Sequence, residues 1–126
     1  MSDVIEKASE LAIQSISERW GKLEKFEDYN DIIAGGCPFC EEAISHLVLK
    51  RPGSNDECEF CLLEPRFCDK RRDNYLVKEI KKCVAERNER EFWLWYGLAM
   101  KILEETYEHG CVSYSTKIVL DGLFEQ

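Results

Sequence analysis

The sequence contains no run of 18 apolar residues, and its mean hydropathy is −0.40, so no membrane-spanning helix is expected. It has no G-x-S-x-G, no phosphate-cradling glycine loop and no H-E-x-x-H. Its carboxylates are spread along helix faces and form no recognisable pair, so a non-enzymatic protein is expected. An excess of basic charge is also missing: 17 Lys and Arg stand against 25 Asp and Glu, a net charge of −8. Uniform binding of nucleic-acid phosphates needs the opposite sign. The opening residues, MSDVIEKASE, lack the basic-then-apolar layout of a signal peptide, and a cytoplasmic setting is the expectation. There is no internal repeat, low-complexity tract or long linker, so residues 1–126 are expected to fold as a single domain.

What the chain does have is 44% hydrophobic residues, enough for a real core, and seven cysteines. An odd number of cysteines without an export signal fits metal-bound thiolates better than a disulfide framework. The charge is also uneven. Residues 1–49 carry a balance of −6 and residues 91–126 one of −4, whereas residues 50–90 carry +2. The middle of the chain is therefore where phosphate contact is plausible, between acidic ends.

Periodicity predicts an all-α fold. A first helix is capped by Asp3, with Ile5, Ala12, Ile16, Trp20 and Leu23 on one face and a break at Gly21. A second helix starts at Pro38 inside the first cysteine pair, with Ala43, Ile44, Leu47 and Val48 as its stripe. Residues 58–72 read as irregular chain around a site. A third helix starts near Asp73, with Leu76, Ile80, Cys83 and Val84 inward. Asn88 and Glu91 form a capping box that starts a fourth helix at about 89. That helix carries Phe92, Trp93, Trp95, Tyr96, Leu98, Ala99, Ile102, Leu103 and Tyr107, is expected to be central to the core, and ends at Gly110. The tail alternates like a strand from Val112 to Ile118. It reads better as a short helix capped by Ser115, because no partner strand exists.

The chemistry lies in the cysteines. Cys37-Pro38-Phe39-Cys40 and Cys58-Glu59-Phe60-Cys61 form a C-x2-C, seventeen-residue, C-x2-C pattern. A two-residue gap lets one tight turn aim both sulfurs at one point, and two such turns complete a tetrahedron around Zn²⁺. The expected site is one structural zinc on Cys37, Cys40, Cys58 and Cys61, with Cys68 as an alternative ligand. It would be a zinc-knuckle-like insertion of four cysteines between helices, at 37–68. An iron–sulfur cluster is the competing use of four thiolates. Cys83 and Cys111 read as packing residues, and His46 and His109 as helix-face and helix-end residues. Phe39 and Phe60 occupy equivalent places in the two pairs and are expected under the metal, or else exposed together as a docking pair.

Between 65 and 82 seven basic residues face three acidic ones. Arg66, Lys70, Arg71, Arg72 and Lys78 are the candidates for a partner or phosphate contact, set against the plainer reading of a solvated face beside the thiolates.

Trp20, the Cys37-Pro38-Phe39-Cys40 pair, Cys58, Cys61, Cys68 and the aromatic helix at 91–108 together resemble a group of small cysteine-rich proteins of phage and bacterial genomes. The resemblance spans residues 15–108, and departs in the insert from Glu41 to Glu57 and in the tail after Gly110. It implies a metal site and a mobile-element origin, and no particular activity. With the acidic ends, the reading is a zinc-binding interaction protein, a phage-type inhibitor or regulator that binds a host protein or a nucleic-acid-processing complex. Direct nucleic-acid binding through 66–82 is the alternative.

Overall fold

The computed structural model describes residues 3–33, 37–50, 61–69 and 71–124, leaving aside the side chains of 3 and 46–50. These residues are mostly helical and contain no strand, as the periodicity predicts. The helices are α1 (Asp3–Glu18), α2 (Tyr29–Ile32), α3 (Pro38–Lys50), α4 (Pro65–Cys68), α5 (Leu76–Ala85), α6 (Glu89–His109) and α7 (Tyr114–Phe124). Among the described residues, no helix is long and apolar enough to cross a membrane.

Helix α6 is central. Phe92, Ala99, Ile102, Leu103 and Thr106 are buried along it, and α1 and α5 both pack on it. Helix α1 lies antiparallel to α6. The Ser9 hydroxyl donates to the Tyr107 carbonyl at one end, and the Tyr96 hydroxyl donates to the Trp20 carbonyl at the other. The buried face of α1 is Ala8, Leu11, Ala12 and Ser15, at helical i, i+3, i+4 and i+7 spacing. Three of these side chains are small, which lets helix axes come close. The expected stripe is therefore partly misphased. Ala12, Trp20 and Leu23 are buried, but Ile5 is exposed and Ile16 only half-buried. A stripe drawn through the largest apolar residues overlooks the small ones that a close helix contact selects.

The helix ends follow local chemistry. A Cβ on Gly21 would sit 2.7 Å from the Ile16 carbonyl oxygen, so glycine is needed where α1 gives way to a 3-10 turn at Trp20–Lys22. The Asn88 side chain caps α6 as expected, accepting from the Glu91 N–H at 3.3 Å, but the other half of the capping box is not made: the Glu91 carboxylate accepts from the Asn88 side chain at 2.9 Å, and the Asn88 N–H is taken by the Cys83 carbonyl. Gly110 adopts φ 80°, and its N–H donates to the Thr106 carbonyl. A Cβ there would also collide with Ile5. At the end of α5, Asn88 N–H reaches the Cys83 carbonyl and Arg87 N–H the Val84 carbonyl, with Arg87 at φ 57°. This is a Schellman motif closed by an arginine instead of a glycine.

Helix α5 starts at Leu76, three residues later than expected, with Leu76, Ile80 and Cys83 buried and Val84 half-buried. Ile44 on α3 is exposed while Ala43 is buried, and Leu47 and Val48 lie outside the described side chains. The tail is a helix, but Ser113, not Ser115, caps it: the Ser113 hydroxyl accepts from Thr116 N–H at 3.2 Å. The Glu105 carboxylate on α6 holds this cap from behind. It accepts from Ser113 N–H at 2.8 Å and from the Thr116 hydroxyl at 2.9 Å.

Two measurements test these ends. Arg87→Gly should stabilise the protein by about 0.5–1 kcal/mol in urea unfolding, because glycine removes the left-handed strain. Partial burial pushes the Glu105 carboxyl up, but the hydrogen bonds at α7 outweigh it and hold the group below its ordinary value. Its stabilisation is therefore present above the unfolded carboxyl range, near pH ~4.3, and lost as pH falls through the lower folded value. Glu105→Gln should lower stability by about 1 kcal/mol at neutral pH, with the gap closing in acid, as read by thermal unfolding across pH.

Candidate metal centre

The first cysteine pair sits at the start of α3. Pro38 opens the helix and Glu41 N–H donates to the Cys37 carbonyl at 2.9 Å, so Cys37 is the residue just before the first turn and Cys40 lies one turn on. Phe39 between them is buried, together with Ala43. Cys61 lies in the irregular stretch before α4, and Cys68 is the last residue of α4. All four cysteines line one cavity of about 30 Å³, floored by Phe39, Ala43 and Leu63 and edged by Asp69. That is room for a small bound species such as a water.

The electrostatics of the pair are asymmetric. A hydrogen bond from Cys40, with help from the Phe39 and Cys40 N–H groups and the Arg19 charge, outweighs burial and lowers the Cys37 thiol to about 6. The same bond, burial, and the nearby Cys37, Cys61 and Cys68 push the Cys40 thiol up. One proton shared by two sulfurs produces this split. A cation between them would favour both thiolates.

Among the described residues, no three His, Cys, Asp or Glu side chains are set to hold a metal ion. Cys58 and Phe60 lie outside the described residues, as do the side chain of His46 and all of Lys70. The second half of the expected knuckle, residues 51–60, lies outside the described residues. Two of the cysteines belong to the start of a 13-residue helix, and Cys68 closes a one-turn helix. Cys83 is buried as expected, its thiol pushed up first by burial and then by Glu91, Glu79 and Glu86, whereas Cys111 is exposed and does not pack. His109 is exposed at the end of α6.

A second cavity, of about 280 Å³, lies behind the cysteines and shares Cys37, Cys40 and Cys68 with the first. Arg19, Trp20, Tyr29, Phe67 and Lys81 complete its walls. Tyr29 is fully buried, its phenol pushed up chiefly by burial, and its hydroxyl has no hydrogen-bond partner among the described residues. No motif in the sequence marks Tyr29, Arg19 or Lys81. They come from three separate segments and meet only in the fold.

The basic segment is partly turned to internal use, while Arg71, Lys78, Lys81 and Lys82 stay exposed. Arg66 is buried, with its Nε 2.7 Å from Glu64 and its Nη1 hydrogen-bonded to Asp121 on α7. It ties α4 to the tail helix and is not a surface contact. Arg71 makes a two-pronged bond to the buried Asp69 carboxylate at 2.9 and 2.7 Å, and holds that carboxyl below its usual range despite burial. Lys78 donates to the Asp73 carbonyl at 2.5 Å, and Arg72 is half-buried. Opposite charges close in sequence pair locally, so a count of basic residues overstates the free positive surface.

Arg66→Met should therefore act on stability. Leaving Glu64 and Asp121 without their guanidinium should cost about 2 kcal/mol in urea unfolding, against ~0.5 kcal/mol or less for Lys78→Ala. No family model matches the chain, and no curated protein and no solved structure was found to match it, so the geometry of this cavity is the ground on which a function rests.

Proposed function

We propose that the chain is a non-enzymatic, zinc-binding interaction protein whose metal is structural. The observation that carries the reading is the gathering of Cys37 and Cys40 with Cys61 and Cys68, from two separate stretches, around one small cavity. Four soft thiolates suit Zn²⁺ and close its tetrahedron, leaving no position for a catalytic water. Cys68 is taken as the fourth ligand because it lines the cavity, with Cys58 as its rival from the second C-x2-C pair. The ion would clamp the start of α3 to the 61–68 segment, so its binding energy is folding energy.

The interaction role follows from charge. The chain carries −8, and its basic segment is partly neutralised by Glu64, Asp69 and Asp121. Such a body suits a partner with a basic surface, as the nucleic-acid-binding face of another protein is. The resemblance to phage and bacterial cysteine-rich proteins is the ground for reading it as an inhibitor or regulator of a host nucleic-acid-processing complex. Direct nucleic-acid binding through 66–82 is weakened by the inward turn of Arg66.

Purified protein should contain about one zinc per chain and no visible iron–sulfur absorbance. Cys37→Ser and Cys61→Ser should each release the metal, and chelation should lower the thermal midpoint. Cys68→Ser should release it while Cys58→Ser retains it; the reverse pattern reassigns the fourth ligand. Metal-free wild type, or zinc kept by Cys61→Ser, would overturn the assignment.

A further inference from the structure

We infer that the outward face of α7 is where two copies of this chain meet, helix against helix and antiparallel, about a two-fold axis at Ile118. Burial uses only part of this helix. Thr116 and Leu120 are buried and Phe124 is half-buried. Away from them, Tyr114 is 78% exposed, Ile118 52%, Val119 49% and Leu123 43%. Lone exposed apolar side chains are ordinary, but four on one short helix form a patch. Charge is nearly absent from α7. Lys117 and Asp121 are its only charged residues and they cancel, in a chain of −8. Two copies with that net charge repel least where charge is missing, and depletion of charge marks the centres of interfaces.

A second copy fits this face because the face complements itself. Tyr114, Ile118 and Gly122 stand four residues apart, so they form one ridge along the helix. In an antiparallel pair with Ile118 against its own counterpart, the large Tyr114 side chain of each copy lies over Gly122 of the other. Gly122 has no other explanation in the fold. Glycine weakens a helix, and a Cβ there would meet no heavy atom within 4 Å, so nothing in its own chain asks for a glycine. The same pairing brings the exposed Lys117 of each copy beside Asp121 of the other, twice by symmetry. Asp121 binds Arg66 and still keeps 60% of its side chain exposed, so it has room for a second cation. The four apolar side chains expose roughly 400 Å² per copy. Interfaces are about 60% apolar, so such a patch corresponds to ~650 Å² per copy and ~1,300 Å² in all. That lies within the ~1,200–2,000 Å² of specific, stable interfaces.

Sedimentation equilibrium of the full-length protein reads the association, with a reductant present so that the exposed Cys111 cannot link copies. Expected is a reversible dimer with a Kd of about 1–100 μM. Gly122→Leu is the sharpest variant. Its Cβ meets nothing in its own chain and leucine favours a helix, so the fold is kept, as circular dichroism checks. It fills the hollow for Tyr114, and should weaken the dimer about ten-fold or more. Ile118→Glu sets two carboxylates together at the axis and should weaken it about 100-fold. Lys117→Glu should weaken it several-fold, by less at high salt. A wild type that stays monomeric at about 300 μM overturns the proposal and leaves the face to a partner of another kind. A dimer that Gly122→Leu and Ile118→Glu leave as tight as wild type overturns it too, because the interface then lies elsewhere. Loss with Ile118→Glu alone overturns the pairing of Tyr114 with Gly122 and keeps the face.

Discussion

Trp20 is the joint on which the architecture turns. It is buried at the point where α1 ends, its carbonyl accepts the Tyr96 hydroxyl, and its ring meets Tyr29, Phe67 and Tyr96. Those contacts connect the α1–α6 body to α2 and to α4, which carries Cys68. Phe92 extends the same cluster to Phe26 and Trp93. Truncating a buried aromatic of this size typically costs about 3–5 kcal/mol. Here such a loss would also unseat the cysteine-bearing edge, because Phe67 packs next to Cys68 in the chain and against Trp20 in space.

Charge plays a different part from the one its raw count suggests. The buried carboxylate of Asp69 edges the cysteine cavity and is matched by Arg71. Arg66 is shared between Glu64 and Asp121, and joins α4 to α7. Glu105 secures the start of α7 by accepting from the cap. Each of these groups is held by hydrogen bonds to its charge, which are stronger than neutral ones and leave the buried partner dependent on them. These charge-assisted contacts thus surround α4 and α7, the elements that frame the thiols and the tail.

The aromatics of α6 show how a helix apolar on several faces is accommodated. Tyr96 turns to Trp20, Trp93 sits on Phe92 and Tyr96 with its indole N–H 3.2 Å from Glu89, and Trp95 meets Phe124 of α7. Two of these rings are covered by neighbouring segments, at Trp20 and at α7, Trp93 packs on rings of α6 itself, and all three are half-buried. Leu94 and Tyr107 remain exposed, and Ile5 lies against Gly110 instead of inside the core.

Where a signal is local, it is legible in the residues. Pro38 opening α3, the Asn88 cap opening α6 and Gly110 closing it depend on backbone groups within one turn. The C-x2-C spacing likewise brings Cys37 and Cys40 together without reference to the rest of the chain. Other features needed the whole fold. The α1 face was decided by how closely α6 can approach, which favours Ala8, Ala12 and Ser15 over larger neighbours. Arg66 finds Asp121 across 55 residues, and Ser113 becomes the cap because Glu105 lies behind it. The meeting of Cys68 with the first pair, and of Tyr29, Arg19 and Lys81 with both, also belongs to the tertiary structure. Hydrogen bonds within a helical turn are set by composition and spacing, whereas side chains from distant segments are brought together only by the packing of the helices that carry them.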